Sequence, residues 1–501
     1  MNRKVLFSLL LLASFVNLKA QEMMGITGSN YAGTNGLILN PASGINSRLY
    51  MDINLVTADA FFENNYLYIP SDEYSFGNLF KKQFQTNTVN NQGTLTSDKL
   101  TINDRYNNDP KNLYQQLRLT GPSFFLNYQR HAFGIGVAAR SVISAHNIPF
   151  DVAKFGFEGL TYAPQHNIRY NDKNFKLTEL SWAELNLSYA YMLIKKDFEQ
   201  LSVGITVHKL WGYAGFSLLG NKLEYTMLSD SVARIHEFDA EVGYSGPMDY
   251  SNFSYNKGSN TFRGHGWGFD IGFVYQKNAN SSKKGRGEGA IPSLCGQKFT
   301  EYDYKIGISL LDVGAIKFTQ DAYVYAFGGD SVFWPRINKT NYKGLDTAIQ
   351  DLNYRFHGDS AFKAKSRELQ IFLPTALSLQ FDYHIYDRFF VNSVLFYGIT
   401  IGKVSVWRPA QLAIVPRYES RFFELNLPVS LYNLSNMRLG ASLRLLWLTI
   451  GTDKLGPFIG GSDFTGMDFY FSIKINFNKG YCKKAAKTSG CPNGEYKRYL
   501  K

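Results

Sequence analysis

The chain has 501 residues, 45% hydrophobic and 16% aromatic, with 33 Tyr, 39 Phe, 44 Gly, three Cys and a formal net charge of +12. Beyond the first twenty residues no continuous apolar run reaches the ~20 residues that a membrane helix needs, which excludes helical spans. What remains is a large soluble β-protein or a single β-barrel in a membrane; the length suits either.

Residues 1–20 read as a secretory signal: Arg3 and Lys4 are basic, Val5 to Val16 form a short apolar core, and Asn17 to Ala20 offer a cleavage site before Gln21. No Cys lies near that cut, so no lipid anchor is expected. Residues 21–47 carry glycine turns and no strand alternation. They are expected either to fold inward as a hatch in a wide lumen or to form a disordered leader.

From residue 48 onward, segments alternate with period two. In Met467 to Phe477 the odd positions Phe469, Phe471, Ile473 and Ile475 oppose Asp468, Tyr470, Ser472 and Lys474. Leu185, Leu187 and Tyr189 oppose Glu184, Asn186 and Ser188 in the same way. The pattern predicts strands at 48–59, 120–129, 131–142, 180–194, 199–212, 264–277, 302–317, 369–385, 387–399, 407–418, 420–432, 437–445, 446–454 and 466–477. Long connections (60–119, 143–179, 213–263, 318–368) alternate with tight ones near Gln129, Lys195 and Tyr386. Outer-membrane barrels have short periplasmic turns and long extracellular loops, whereas a soluble sandwich has no reason to keep that parity. The expected fold is therefore all-β: a transmembrane antiparallel barrel of about 14 strands over 48–477, in the bacterial outer membrane, with both termini periplasmic.

The lumen face would then carry Asp52, Arg140, Glu184, Asp270, Asp303, Lys305, Asp382, Glu424, Arg438, Arg444, Asp468 and Lys474. A charge on the lipid face costs roughly 2–4 kcal/mol at mid-membrane, so ion pairs and water contacts inside the lumen explain these residues better than catalysis. The chain contains no G-x-S-x-G, H-E-x-x-H or P-loop pattern, and its histidines show no metal-ligand spacing. No enzyme activity, cofactor or metal is expected.

The tail 478–501 is basic, as is the connection 278–300, so the periplasmic end is strongly positive. It would serve solubility or dock an acidic protein partner or anionic headgroups; nucleic acid is excluded by the compartment. Cys482 and Cys491 could close a small loop in the tail, or Cys295 could pair with one of them.

Two sets of residues carry a resemblance. Asn40-Pro41-Ala42, just before the first strand of a fourteen-stranded barrel, resembles the hatch of the long-chain fatty acid outer-membrane transporter (FadL) superfamily. Ile308 to Gly314 and Leu443 to Asp453 look more like the PorV-type barrels of Bacteroidota. The first resemblance implies a plugged lumen and passive transport of hydrophobic or amphipathic small molecules through the wall, with Asn40, Pro41 and Ala42 as hatch positions. The second implies an adaptor or structural subunit of a larger outer-membrane secretion or assembly complex, with partners held by the long loops and basic tail.

Overall fold

A computed structural model describes residues 23–477, apart from 197, 253, 256–261, 279–291, 294–296, 299–300, 341 and 361–362. The signal segment, Cys295, Cys482, Cys491 and the basic tail lie outside the described residues. Among those described, no helix is long and apolar enough to cross a membrane.

Nineteen strands form one sheet that closes on itself. In chain order they are β1 (Met51–Asn64), β2 (Lys111–Tyr128), β3 (His131–Ile148), β4 (Arg169–Lys195), β5 (Glu199–Ser229), β6 (Val232–Ser245), β7 (Gly264–Asn278), β8 (Tyr302–Phe318), β9 (Tyr323–Pro335), β10 (Leu369–Phe372), β11 (Ala376–Tyr386), β12 (Phe389–Gly398), β13 (Gln411–Glu419), β14 (Phe423–Asn426), β15 (Val429–Tyr432), β16 (Asn436–Leu439), β17 (Ala441–Leu445), β18 (Leu448–Thr452) and β19 (Gly466–Phe477). β10 and β11 are two parts of one stave, as are β14 with β15 and β16 with β17. β6 and β9 stand outside the ring, β6 on the far end of β5 and β9 on β6. That leaves fourteen staves, all antiparallel, and β1 closes the ring on β19.

Period two dictates the two faces of the wall. In β7 the outward Trp267, Phe269, Ile271 and Phe273 are exposed, and Asp270 and Val274 between them are buried. The same holds for Ile306 and Ile308 on β8 and for Leu379 and Phe381 on β11. Exposed Tyr128, Tyr386 and Phe389 gather at the end with the short turns, as the aromatic girdle of a membrane barrel does. At that end the connections 129–130, 387–388 and 446–447 are tight.

The opposite end departs from the sequence expectation. The strands expected at 120–129, 131–142, 180–194 and 199–212 continue to Lys111, Ile148, Arg169 and Ser229. Beyond Lys176, β4 pairs with β5 alone, and beyond Gly212, β5 exchanges β7 for β6. The expected long loops 213–263 and 318–368 therefore hold β6 and β9, and 60–119 holds a small sheet of Leu67–Tyr68, Phe84–Thr86 and Leu100–Asp104. Out of the lipid a strand buries whichever face a neighbour covers, so alternation weakens and the sequence signal with it. The helix α3 (Phe150–Glu158) packs on this extension through Phe155 against Tyr225, Met227 and Ile235; α4 (Leu345–His357) packs through Ile349 against Tyr244 and Phe327. Two shorter helices precede them in the chain, α1 (Met24–Thr27) and α2 (Thr34–Leu39).

β13 begins at Gln411 rather than 407 because 399–410 turns into the mouth. There Val406 is buried, Trp407 stacks on His146 at 4.4 Å, and Trp407 N donates to Ser144 Oγ at 3.1 Å.

Candidate functional site: a lumen filled in two layers

Residues 23–46 lie inside the barrel at the short-turn end. α1 and α2 lead into a 3-10 turn, Pro41–Asn46. Asn40 starts that turn: its Oδ1 accepts from Ala42 N at 2.9 Å, and Pro41 sits at the first position, where a missing N–H costs nothing. The same side chain also ties the segment to the wall, since Nδ2 donates to Gln380 Oε1 at 2.9 Å and to Phe273 O at 3.1 Å. The wall makes room with glycine. A Cβ on Gly204 would lie 2.4 Å from Ala42 N, and one on Gly272 would lie 2.1 Å from Asn40 Oδ1. The chain thus approaches the wall as closely as backbone allows.

Several lumen charges serve this segment. Lys474 Nζ donates to Tyr31 O at 3.0 Å and Ala32 O at 2.6 Å, and lies 3.8 Å from Asp52 Oδ2. Asp52 Oδ2 accepts from Thr34 N at 2.8 Å. Glu424 Oε2 accepts from Ser29 Oγ at 2.8 Å and from Arg444 Nε at 3.0 Å. Lys305 Nζ donates to Asn30 Oδ1 at 2.5 Å. Asp453 Oδ2 accepts from Met24 N at 2.9 Å, and Asp468 Oδ2 in turn accepts from Asp453 N at 2.5 Å. Asp382 binds Arg417 Nη2 at 2.8 Å and Tyr302 Oη at 2.7 Å. A bulge between β7 and β8 sets Tyr302 opposite Asn278 and leaves Asp303 only half-buried at the rim.

Arg438 stands apart at the other end. Its Nη2 donates to Glu63 Oε2 at 2.6 Å, Lys454 Nζ donates to the same oxygen at 2.7 Å, and its guanidinium lies 3.7 Å over the Tyr432 ring. Nearby the lumen is filled by wall side chains: Phe61, Tyr114, Val142, Leu180, Trp182, Leu210, Ile316, Phe318, Leu369 and Ile371 form one buried apolar cluster.

Between the two layers sits a buried belt of charge. Arg140 grips Asp312 with both ends of its fork, at 2.6 and 3.0 Å, and lies 3.6 Å from Glu184. Arg408, from the inward-folded connection, reaches the same Asp312 at 3.5 Å. His208 Nε2 stands 2.9 Å from Asp270 Oδ2. A cavity with about 70 Å³ of free space, room for a few waters, opens here. It is bounded by Arg118, Ser123, Gly136, Ser188 and Thr206 on the wall and by Leu37 and Ile38 on the inward segment.

Of the sequence candidates, Asp52, Arg140, Glu184, Asp270, Asp382, Glu424, Arg438, Arg444, Asp468 and Lys474 are all buried. Sequence reading missed Asp312 because unbroken alternation puts it with the outward Ile308 and Leu310. A bulge between Leu310 and Val313, with Asp312 at φ 55°, turns its carboxylate inward. His208 and Arg417 lie in phase with the inward residues of expected strands and were readable; Arg118 fell in the stretch expected as the loop 60–119, and Arg408 fell in the strand expected at 407–418 but precedes the observed one.

A closed fourteen-stave barrel with an apolar exterior and a filled, charged lumen defines an outer-membrane β-barrel. The chain belongs to a family whose model matches residues 41–453 and which is described as a family of unknown function, DUF5723. No curated protein matches it in sequence. Solved structures similar to it include a TodX monoaromatic hydrocarbon channel mutant, with 10% identity, TM-score 0.40, 92% of this chain and 100% of that one covered. The Ralstonia pickettii toluene transporter TbuX has 12% identity, TM-score 0.39 and coverage of 92% and 99%. A Pseudomonas aeruginosa FadL homologue has 11% identity, TM-score 0.33 and coverage of 92% and 99%.

Proposed function

We propose that the protein is a passive route for hydrophobic or amphipathic small molecules across the outer membrane, with residues 23–46 as its plug and both termini in the periplasm. The observation that carries this reading is the cavity between the plug and a weak point of the wall. At Gly121-Pro122 the β2–β3 register slips between Thr120 and Ser123, and Pro122 brings no N–H to the ladder. The partner strand is thin there: a Cβ on Gly136 would lie 2.6 Å from Ser123 Oγ, and one on Gly134 would lie 2.6 Å from Leu37 Cδ1. Phe124 and Ile135, which border the cavity, sit at outward-facing positions of the wall. A molecule leaving the lumen here enters lipid rather than periplasm.

Two variants test this reading in planar bilayers and in liposomes loaded with an apolar dye acceptor. A chain without residues 23–46 takes up an apolar dye faster, because the layer below the cavity is gone while the upper layer still bars ions. Gly136→Leu narrows the cavity and slows uptake of the dye without raising ion conductance. Unchanged uptake in both variants would remove the proposal.

A second reading, an adaptor subunit of a larger outer-membrane assembly, is favoured by the folded extension of β4, β5, β6, β9, α3 and α4. A ligand channel does not need so much ordered structure beyond the membrane. Stoichiometric co-purification from the native membrane in mild detergent would support it, and a barrel that always purifies alone would sink it.

A further inference from the structure

The charge belt contains a ligand set that transport of an apolar molecule does not call on. Three neighbouring strands bring His208 (β5), Asp270 (β7) and Asp312 (β8) together, fully inside the wall, with one ligand atom from each within 4.8 Å of the others. Each has its own orienting partner. His208 Nδ1 faces Asn186 Oδ1 at 2.7 Å, and Asn186 Nδ2 donates to Glu184 Oε1 at 3.2 Å. That second bond fixes which way the amide points, so Nδ1 carries a proton and Nε2 is the nitrogen turned to the carboxylates. Asp270 Oδ1 accepts from Asp312 N at 2.6 Å, which leaves Oδ2 free to face His208. Asp312 is held by Arg140 through both oxygens and approached by Arg408 at Oδ2, at 3.5 Å, so Oδ1 keeps a further lone pair.

The consequence is a ring nitrogen facing a carboxylate at 2.9 Å. A neutral imidazole presents a lone pair there, and the two groups repel unless a positive charge, a proton or a metal ion, lies between them. The contact lies off the axis along which a ring N–H would donate: Nε2, on a residue only 6% exposed, makes no hydrogen bond. A separation near 3 Å is what two ligands about 2.1 Å from one ion show at a right angle, as in five- or six-coordinate sites; a tetrahedral site would set them ~3.4 Å apart. The bulge that aims Asp312 inward puts a non-glycine residue in the left-handed region, a strain that accumulates at functional sites.

We propose that His208 Nε2, Asp270 and Asp312 bind a first-row divalent cation of the Zn2+ class, with Asn186 and Arg140 as the residues that orient the ligands. One imidazole and two carboxylates make a three-ligand site with open positions, and the adjoining cavity has room for the waters that would fill them. Bound there, the ion ties three wall strands together beneath the connection that carries Arg408. The proposal is independent of the transport reading.

The test uses the full mature chain, refolded or extracted in detergent and stripped with a chelator, then titrated with Zn2+ by calorimetry and with Co2+ by visible absorption. The expected result is one ion per chain and a melting temperature that rises with free Zn2+. His208→Gln and Asp270→Asn abolish stoichiometric uptake, and Asn186→Ala weakens it about 10–100-fold, as loss of an orienting partner does. The altered mobility of the unheated barrel in gels shows which variants are folded. The isosteric Asp270→Asn serves if the histidine variant is not. Absence of stoichiometric uptake by the wild-type chain, or equal affinity in a folded variant, would overturn the site and leave the group as an imidazolium–carboxylate ion pair.

Discussion

The two ends of the lumen are closed by different means. At the short-turn end the filling is a separate piece of chain, held by hydrogen bonds from wall side chains to its backbone: Lys474 to Tyr31 O and Ala32 O, Ser309 Oγ to Leu39 O at 2.7 Å, Asn127 to Gly44 O at 3.2 Å. At the other end the filling is the wall's own side chains, Phe61, Trp182, Leu210 and Phe318 among them, meeting across the bore. The first layer is joined to the wall by hydrogen bonds along its length, the second by packing of the strands' own side chains. On the transport reading proposed above, the lower layer is the plug and the upper one a constriction.

The largest effect expected is at the charge that serves both wall and plug. Lys474→Met leaves Asp52 buried without its cation, a loss of about 3–5 kcal/mol. It also frees two carbonyls of the segment, so trypsin should cut after Arg48 in the folded barrel. Resistance equal to wild type would mean that the plug does not depend on this contact. Leu210→Ala, in the upper layer, should cost about 2–5 kcal/mol in urea unfolding but leave Arg48 protected. If it exposes Arg48, the two layers are one cooperative unit and the contrast above fails.

Outside the ring the pH dependence should be separate again. Burial and the neighbouring Asp151 push the Asp172 carboxyl up to about 7. A folded-state value above the ordinary 3.8 means that the folded form binds the proton more tightly. That stabilisation is fully present below the ordinary value and disappears as the pH rises to about 7. Asp172→Asn should remove the loss, with a gain of no more than about 2 kcal/mol at neutral pH once screening at this half-exposed group is allowed for. Hydrogen exchange of α3 between pH 4 and 8 reads it, and equal protection across that range in the wild-type chain would contradict it. The smallest effect is Asn40→Ala, which removes one cap of a 3-10 turn and about 1 kcal/mol, visible as faster exchange of the Ala42 amide. An unchanged rate would mean that the glycine seat alone holds the turn.

How much of this was legible follows from what lipid demands of a strand. Within the membrane one face must be apolar, so Trp267, Phe269 and Ile271 against Asp270 announce both the strand and the inward direction of its charge. The number of staves follows from the same rule. Where lipid ends, the rule ends: residues 213–229 of β5 carry Gly215, Ser217 and Gly220 among Phe216, Leu218 and Leu219, and read as loop although they are strand. A bulge defeats the rule inside the membrane as well, as Asp312 shows. The contacts of 23–46 were beyond reach for another reason. Many of them join residues hundreds of positions apart, such as Asn426 Nδ2 to Gly25 O at 2.7 Å, and no local pattern encodes such a pair.

The β4–β5 hairpin has a consequence of scale. From Gly212, the last β5 residue paired to β7, the strand runs on to Ser229, roughly 17 residues. At about 3.3 Å per residue that is up to ~55 Å of pleated chain, more than the thickness of the bilayer's hydrocarbon core. A tilted ribbon of that length, braced by β6, β9 and two helices, acts as a mast. It places the turn at Asp230 and Ser231 well beyond the last residues that pair with the ring.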